Sequence, residues 1–253
     1  LESRVTVTRL RYLLLQTRNS DDAMCRQEVG CFARRLECDA ADVEVVDLLS
    51  RAPSEAELAR ADLVLLGGSG HYSAASEPGR PRPRSAWLRR ALDVMRNLHA
   101  RSKPTFASCW GFQAMARAMG GRCIHDPANS ELGTTELRLT DAGRQDRVFG
   151  SLPPVFNGQA GHEDHVTELP PDAVLLASSA RVRNQAFQFA ERPIYCTQFH
   201  PELDRTGFLE RVRAYPEYVE RIAGVPYDDF VEHCHETPEA NTLLRRFVNL
   251  VLP

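Results

Sequence analysis

The feature that most constrains this chain is a repeated unit: a short apolar run, a turn, then a segment of helical period. Leu63–Leu66 (LVLL) is the clearest case, a continuous apolar run that ends abruptly in Gly67-Gly68-Ser69-Gly70. A four-residue run with no polar alternation suits a parallel strand buried on both faces. Leu10–Gln16, Val43–Asp47, Pro104–Ser108, Ala173–Ser178, Phe187–Phe189 and Ile194–Phe199 read as further strands. Helices are expected at Asp21–Leu36, from Ser54 with Glu57 completing a capping box, at about Ser85–His99, and at Gly111–Met119 closed by Gly120-Gly121. Arg122–Thr167 reads as short strands and turns. Beyond residue 206 the chain looks helical, over Gly207–Arg213, Tyr215–Ile222, Tyr227–His235 and Glu239–Leu252. Such alternation predicts a three-layer α/β fold: a mainly parallel central sheet, helices on both faces, and functional loops at the strand C-termini. With 253 residues, one domain is expected, ending in a helical stretch over about 206–253.

Composition excludes several function classes. A net charge of −3 and a pI near 6.3 leave no basic footprint for nucleic acid or a membrane surface. No apolar run approaches spanning length, and the N-terminal residues lack the order of a secretory signal. The seven cysteines (25, 31, 38, 109, 123, 196, 234) show no Cys-x-x-Cys pair, so neither a zinc site nor a disulfide framework is suggested. Free thiols point to a reducing compartment, and a cytoplasmic location is expected.

Two segments carry chemistry. Cys109 follows an apolar strand and precedes a helix, in Pro104-Thr-Phe-Ala-Ser-Cys109-Trp110-Gly111-Phe112-Gln113. A cysteine at such a turn stands above the sheet edge, where a helix N-terminus favours thiolate and offers backbone N–H groups to an oxyanion. His200 ends another strand, in Gln198-Phe199-His200-Pro201-Glu202. Parallel strands end on one side of a sheet, so the two segments can converge, with Glu202 fixing the imidazole tautomer.

Together these segments resemble the class I, triad-type glutamine amidotransferases. The family pattern P-x-x-G-x-C-x-G-x-Q is met by Pro104, Cys109, Gly111 and Gln113, and Q-F-H-P-E by residues 198–202. Ala107 stands where the family has glycine. The resemblance covers about residues 10–205 and implies a flavodoxin-like fold. It implies Cys109 as nucleophile, His200 as base and Glu202 as its orienter. The Gly67-Gly68-Ser69-Gly70 loop would supply an oxyanion donor at Gly68, with the Trp110 N–H as the second. Such donors are worth about 2.7–4 kcal/mol each. Gly161-His162-Glu163-Asp164 resembles the family's segment holding the α-amino and α-carboxylate end of glutamine, and Gln113 would position the same group. No metal or cofactor is implied.

The implied activity is hydrolysis of glutamine through a γ-glutamyl thioester, with ammonia passing to a synthetase on another polypeptide. A stand-alone γ-glutamyl hydrolase and a non-catalytic regulatory subunit are the alternatives. The connection Glu77–Arg84 is expected to be an exposed, solvated basic loop, the alternative being a loop near the site mouth that offers Arg80, Arg82 and Arg84 to a substrate or partner.

Overall fold

The computed structural model describes residues 10–76 and 83–252, so all of the Pro-Arg connection except Pro83 and Arg84 lies outside the described residues. The first half alternates regularly. It runs through β1 (Tyr12–Gln16), α1 (Met24–Leu36), β2 (Val43–Asp47), α2 (Glu55–Arg60), β3 (Leu63–Leu66), α3 (Ala86–Ala100), β4 (Thr105–Ser108) and α4 (Trp110–Ala118). Next come β5 (Arg122–His125), β6 (Glu131–Leu139), α5 (Asp141–Gln145), β7 (Val155–His162), β8 (Asp164–Glu168), β9 (Ala173–Ser178), β10 (Ala186–Phe189) and β11 (Ile194–Thr197). The C-terminal part holds α6 (Arg205–Ala214), a π-helical turn at Val219–Ala223, α7 (Tyr227–Glu232), α8 (Pro238–Asn241) and α9 (Leu243–Val251).

Nine strands form one sheet in the order β2-β1-β3-β4-β11-β10-β9-β6-β7. From β2 to β11 every pairing is parallel. From β11 to β7 every pairing is antiparallel. The parallel half follows the apolar runs, and the antiparallel half gathers most of the segment expected to be short strands and turns. β5 and β8 form a separate antiparallel pair.

Burial on both faces explains the unbroken runs. Alternate residues of β1 and β3 enter opposite cores: Leu13, Leu15, Val64 and Leu66 face α2, α3 and α4, whereas Leu14, Leu63 and Leu65 face α1 and α9. Local signals hold at several ends. Ser54 and Glu57 form a complete capping box on α2. Gly120 has φ +94° just past α4, and the Gly121 N–H donates to the Ala116 carbonyl, which closes that helix. The helix expected from Asp21 starts later, at Met24, because Asp22 turns back to accept the Met24 N–H.

The C-terminal helices are part of the layered packing. α9 buries Leu243, Leu244, Phe247 and Val248 beneath the sheet, and the Phe247 ring meets Phe106 and Tyr195. Truncating a buried Phe of this kind costs about 3–5 kcal/mol. A third cluster, including Phe208, Val212, Val219 and Phe230, packs the remainder of the extension against Cys31 of α1 and Leu203. Among the described residues no helix is long and apolar enough to cross a membrane.

Candidate active site

β4 and β11 are neighbours in register, Ser108 opposite Thr197, so the residues that follow them emerge side by side. The Cys109 N–H donates to the Thr197 carbonyl at 2.8 Å, and the His200 N–H to the Gln159 carbonyl at 2.8 Å. The first bond pins the ends of β4 and β11 together, and the second ties His200 to β7. Cys109 itself has φ 52° and ψ −105°, outside the favoured regions for an L-residue, at the sharp step into α4. The step is possible because residue 111 is glycine: a Cβ there would lie 2.6 Å from Cβ of Leu66. Ala107, the departure from the family pattern, is fully buried in the core beneath α3 and α4.

Cys109, His200 and Glu202 are brought together and are all buried. His200 Nδ1 lies 2.7 Å from Glu202 Oε1, which leaves the other ring nitrogen for the thiol. Burial works against a charged imidazole, but Glu202 and then Cys109 outweigh it and hold His200 up at about 9. For Glu202 burial likewise opposes charge, while His200 and then Arg211 draw its carboxyl down to about 2. Arg211 Nη1 stands 3.4 Å from Glu202 Oε1 and its fork also donates to Gln27 Oε1. The Cys109 thiol points to the Gly161 carbonyl at 3.7 Å.

The expected oxyanion donors differ from one another. Trp110 is the first residue of α4, so its N–H is one of the first-turn donors that lack an intrahelical acceptor. Gly68 lies against the pair, since a Cβ there would stand 2.9 Å from His200 Cε1. Its N–H, however, donates to Glu28 Oε1 at 3.2 Å. In this structure a buried carboxylate thus holds the N–H that was expected to face an oxyanion. Glu28 is itself fixed by Arg18 Nη2 at 3.0 Å and by Gln16 Nε2 at 3.0 Å.

The expected substrate contacts also need sorting. Gln113 Nε2 donates to the Asp164 carbonyl at 2.9 Å and to Gln198 Oε1 at 3.2 Å, tying α4 to β8 and β11. The His162 ring is buried and turned onto Glu131 (3.0 Å), while the residue still lines the cavity beside Cys109. Glu163 is ion-paired with Arg221 through two contacts, of 3.0 and 2.6 Å. Asp164 accepts from Ser73 and meets His125 Nδ1 at 2.8 Å. Gly161, Glu163 and Asp164 line a polar cavity of about 250 Å³ that reaches Cys109, Trp110 and Gln113.

Sequence reasoning missed Glu28, Arg18, Arg211, Tyr215, Tyr218 and Arg221. Tyr215 donates to Asp22 and accepts from Arg18, and the Tyr218 hydroxyl donates to the Gly70 carbonyl at 2.9 Å, so the extension covers the glycine-rich loop at residues 67–70. Only Gly67 hinted at this shell: a Cβ there would sit 2.5 Å from the Glu28 carboxylate.

A family profile described as "Glutamine amidotransferase class-I" matches residues 29–211. The chain belongs to that family. Among curated relatives, a glutamine-hydrolyzing GMP synthase subunit of Methanopyrus kandleri is 34% identical over 105 residues, covering 42% of this chain and 54% of that protein. "GMP synthase [glutamine-hydrolyzing]" of Mycolicibacterium paratuberculosis is 32% identical over 166 residues, covering 66% of this chain and 28% of the relative. The chain thus spans about a quarter to about half of the length of these relatives. A crystal structure of a glutamine amidotransferase from Thermotoga maritima superposes with a TM-score of 0.72 at 20% identity, covering 97% of this chain and 99% of the other. A glutamine amidotransferase from Methylobacillus flagellatus gives 0.67 at 18% identity, covering 95% and 94%. At such identities the likeness concerns the amidotransferase fold, with its mixed sheet and flanking helices.

Proposed function

We propose that this amidotransferase chain hydrolyses the side-chain amide of glutamine and releases ammonia to a synthetase. The observation that carries the reading is Cys109 at a strained strand-to-helix step, held against a buried His200–Glu202 pair. In this mechanism His200 takes the Cys109 proton, and the thiolate attacks the amide carbon. The oxyanion forms at the Trp110 N–H, joined by Gly68 once its N–H leaves Glu28. His200 then protonates the departing nitrogen, the C–N bond breaks, and a γ-glutamyl thioester remains. Water activated by His200 hydrolyses that thioester to glutamate and free thiol. The α-amino and α-carboxylate end lies in the polar cavity, near Asp164 and the 161–163 backbone. The names of the relatives, a GMP synthase and a GMP synthase subunit, support a synthetase as the ammonia acceptor.

The test is twofold. A glutamine-like chloroketone should add one equivalent to Cys109, and purified protein should release ammonia from glutamine, faster with its synthetase partner. Labelling at another cysteine would overturn the nucleophile. Cleavage of γ-glutamyl peptides with no ammonia release from glutamine would move the assignment to a stand-alone peptidase.

A further inference from the structure

Cys109 lies between two cavities of opposite character. The polar one, beside the 161–164 segment, is lined by Trp110, Gln113, His125, Glu163, Asp164 and Arg221 among others. The second is smaller, about 50 Å³, and shares Ser69, Gly70, Cys109, Gly161 and Tyr218 with the first. Its walls include Leu132, Leu203, Phe208, Val212 and Tyr215, supplied largely by the extension. His200 lines this second cavity and is not among the residues lining the polar one.

That division separates the two ends of an amide. A group whose charged end sits near Asp164 must send its leaving nitrogen toward the acid that protonates it. The acid is His200, so the leaving amine emerges into the apolar cavity. The geometry points to this cavity as an amine subsite for a small, uncharged, apolar amine, of which ammonia is the smallest member. The inference rests on the proposed function and extends it to a further activity, hydrolysis of short γ-glutamyl alkylamides. The step balances as for glutamine: the amide C–N bond breaks, the thioester C–S bond forms, the His200 proton goes to the amine nitrogen, and water later restores the thiol.

Size and charge exclude the alternatives. A cavity of about 50 Å³ admits only a handful of water-sized groups, since one water needs about 10–15 Å³ by the same measure. A longer leaving group, such as a peptide, would extend through the open side of the cavity, away from its apolar walls. Arg18 and Arg211 also line the cavity, their charges matched by the buried carboxylates of Glu28 and Glu202. An ammonium-bearing amine would lose its hydration there without gaining a counter-ion, since Glu28 and Glu202 are already paired and no carboxylate is among the lining residues.

The experiment measures kcat/KM on the full chain for glutamine, γ-glutamylmethylamide, γ-glutamylethylamide, γ-glutamyl-4-aminobutylamide and γ-glutamylglycine. The methyl- and ethylamides should be cleaved within about tenfold of glutamine, and the charged and peptide substrates at least about 100-fold more slowly. Leu132→Ala should enlarge the cavity and raise the butylamide-to-methylamide rate ratio about tenfold. Should that variant fold poorly by thermal melting, the wild-type panel alone still decides. Ethylamide cleavage more than about 100-fold below glutamine, or charged or peptide substrates equal to the ethylamide, would overturn the subsite. Chloroketone labelling of Cys109 reports on the nucleophile with no leaving amine. Labelling with a failed panel removes this inference alone, whereas absence of labelling removes the proposed function with it.

Discussion

The half of the site built on β4 and β11 and the half supplied by the extension are made in different ways. In the first, each side chain is delivered by its own local sequence. Ser108 and Thr197 are paired across parallel strands, so Cys109 and His200 need only follow them. In the second, Arg18, Arg211 and Tyr215 meet through contacts between residues far apart in the chain, such as Arg18 with Tyr215 and Arg211 with Gln27. Strand ends place chemistry by topology, whereas a cover places it by packing. Disturbing the first half should therefore abolish chemistry, and disturbing the second should shift rate or selectivity.

The largest effect expected is at the nucleophile. Cys109→Ser should lower glutamine turnover at least about 10³-fold while the thermal melt stays near wild type. A variant retaining a tenth of wild-type activity would break the comparison at its root. His200→Ala should lose about 10²–10⁴-fold, the range for a general acid–base group, and Glu202→Gln less, because the base remains. Steady-state kinetics on the two variants check this order, and a more damaging Glu202→Gln would reverse the assigned roles.

The same pair makes a pH-dependent contribution to stability. The His200 value is raised from 6.5 to about 9, so its contribution is complete below 6.5 and lost as pH rises through about 9. The Glu202 value is lowered from 4.5 to about 2, so its contribution is complete above 4.5 and lost as pH falls through about 2. The Tm difference between wild type and Glu202→Gln should thus be widest between pH 4.5 and 6.5 and shrink toward pH 9. A difference that grows across that alkaline range would show that the ion pair is not its source.

The smallest effect belongs to the cover. Arg221 is half exposed and its contact with Glu163 is open to water, so Arg221→Ala should change stability by less than about 1 kcal/mol. Denaturant melts measure this, and a loss of several kcal/mol would mean that the cover is as integral as the strand-end half.

How much was legible follows the same division. The parallel strands were readable because burial on both faces demands unbroken apolar runs, as in Leu63–Leu66. The capping box of α2 and the glycine end of α4 were readable because their physics spans a few residues. The antiparallel half was less so. β6 and β7 pair over eight positions, yet Asn157, Gly158, Gln159, Gly161 and His162 leave β7 little apolar alternation to mark a strand. Glu239–Leu252 read as one helix and is two, α8 and α9, with a break at Thr242.

What the sequence by itself determined is the strand–turn–helix alternation, the family, and the three residues Cys109, His200 and Glu202 that the strand ends carry. Their motifs are local, and local geometry is written in local residues. Only the tertiary structure decided that the Gly68 N–H is held by Glu28, that the His162 ring turns inward to Glu131, and that the extension walls an apolar cavity beside His200. The physical reason is that a hydrogen-bond partner or a cavity wall is chosen by proximity after the chain has packed. A glutamate in a helix, a histidine in a strand and a valine in a C-terminal helix carry no mark of the group that they will meet.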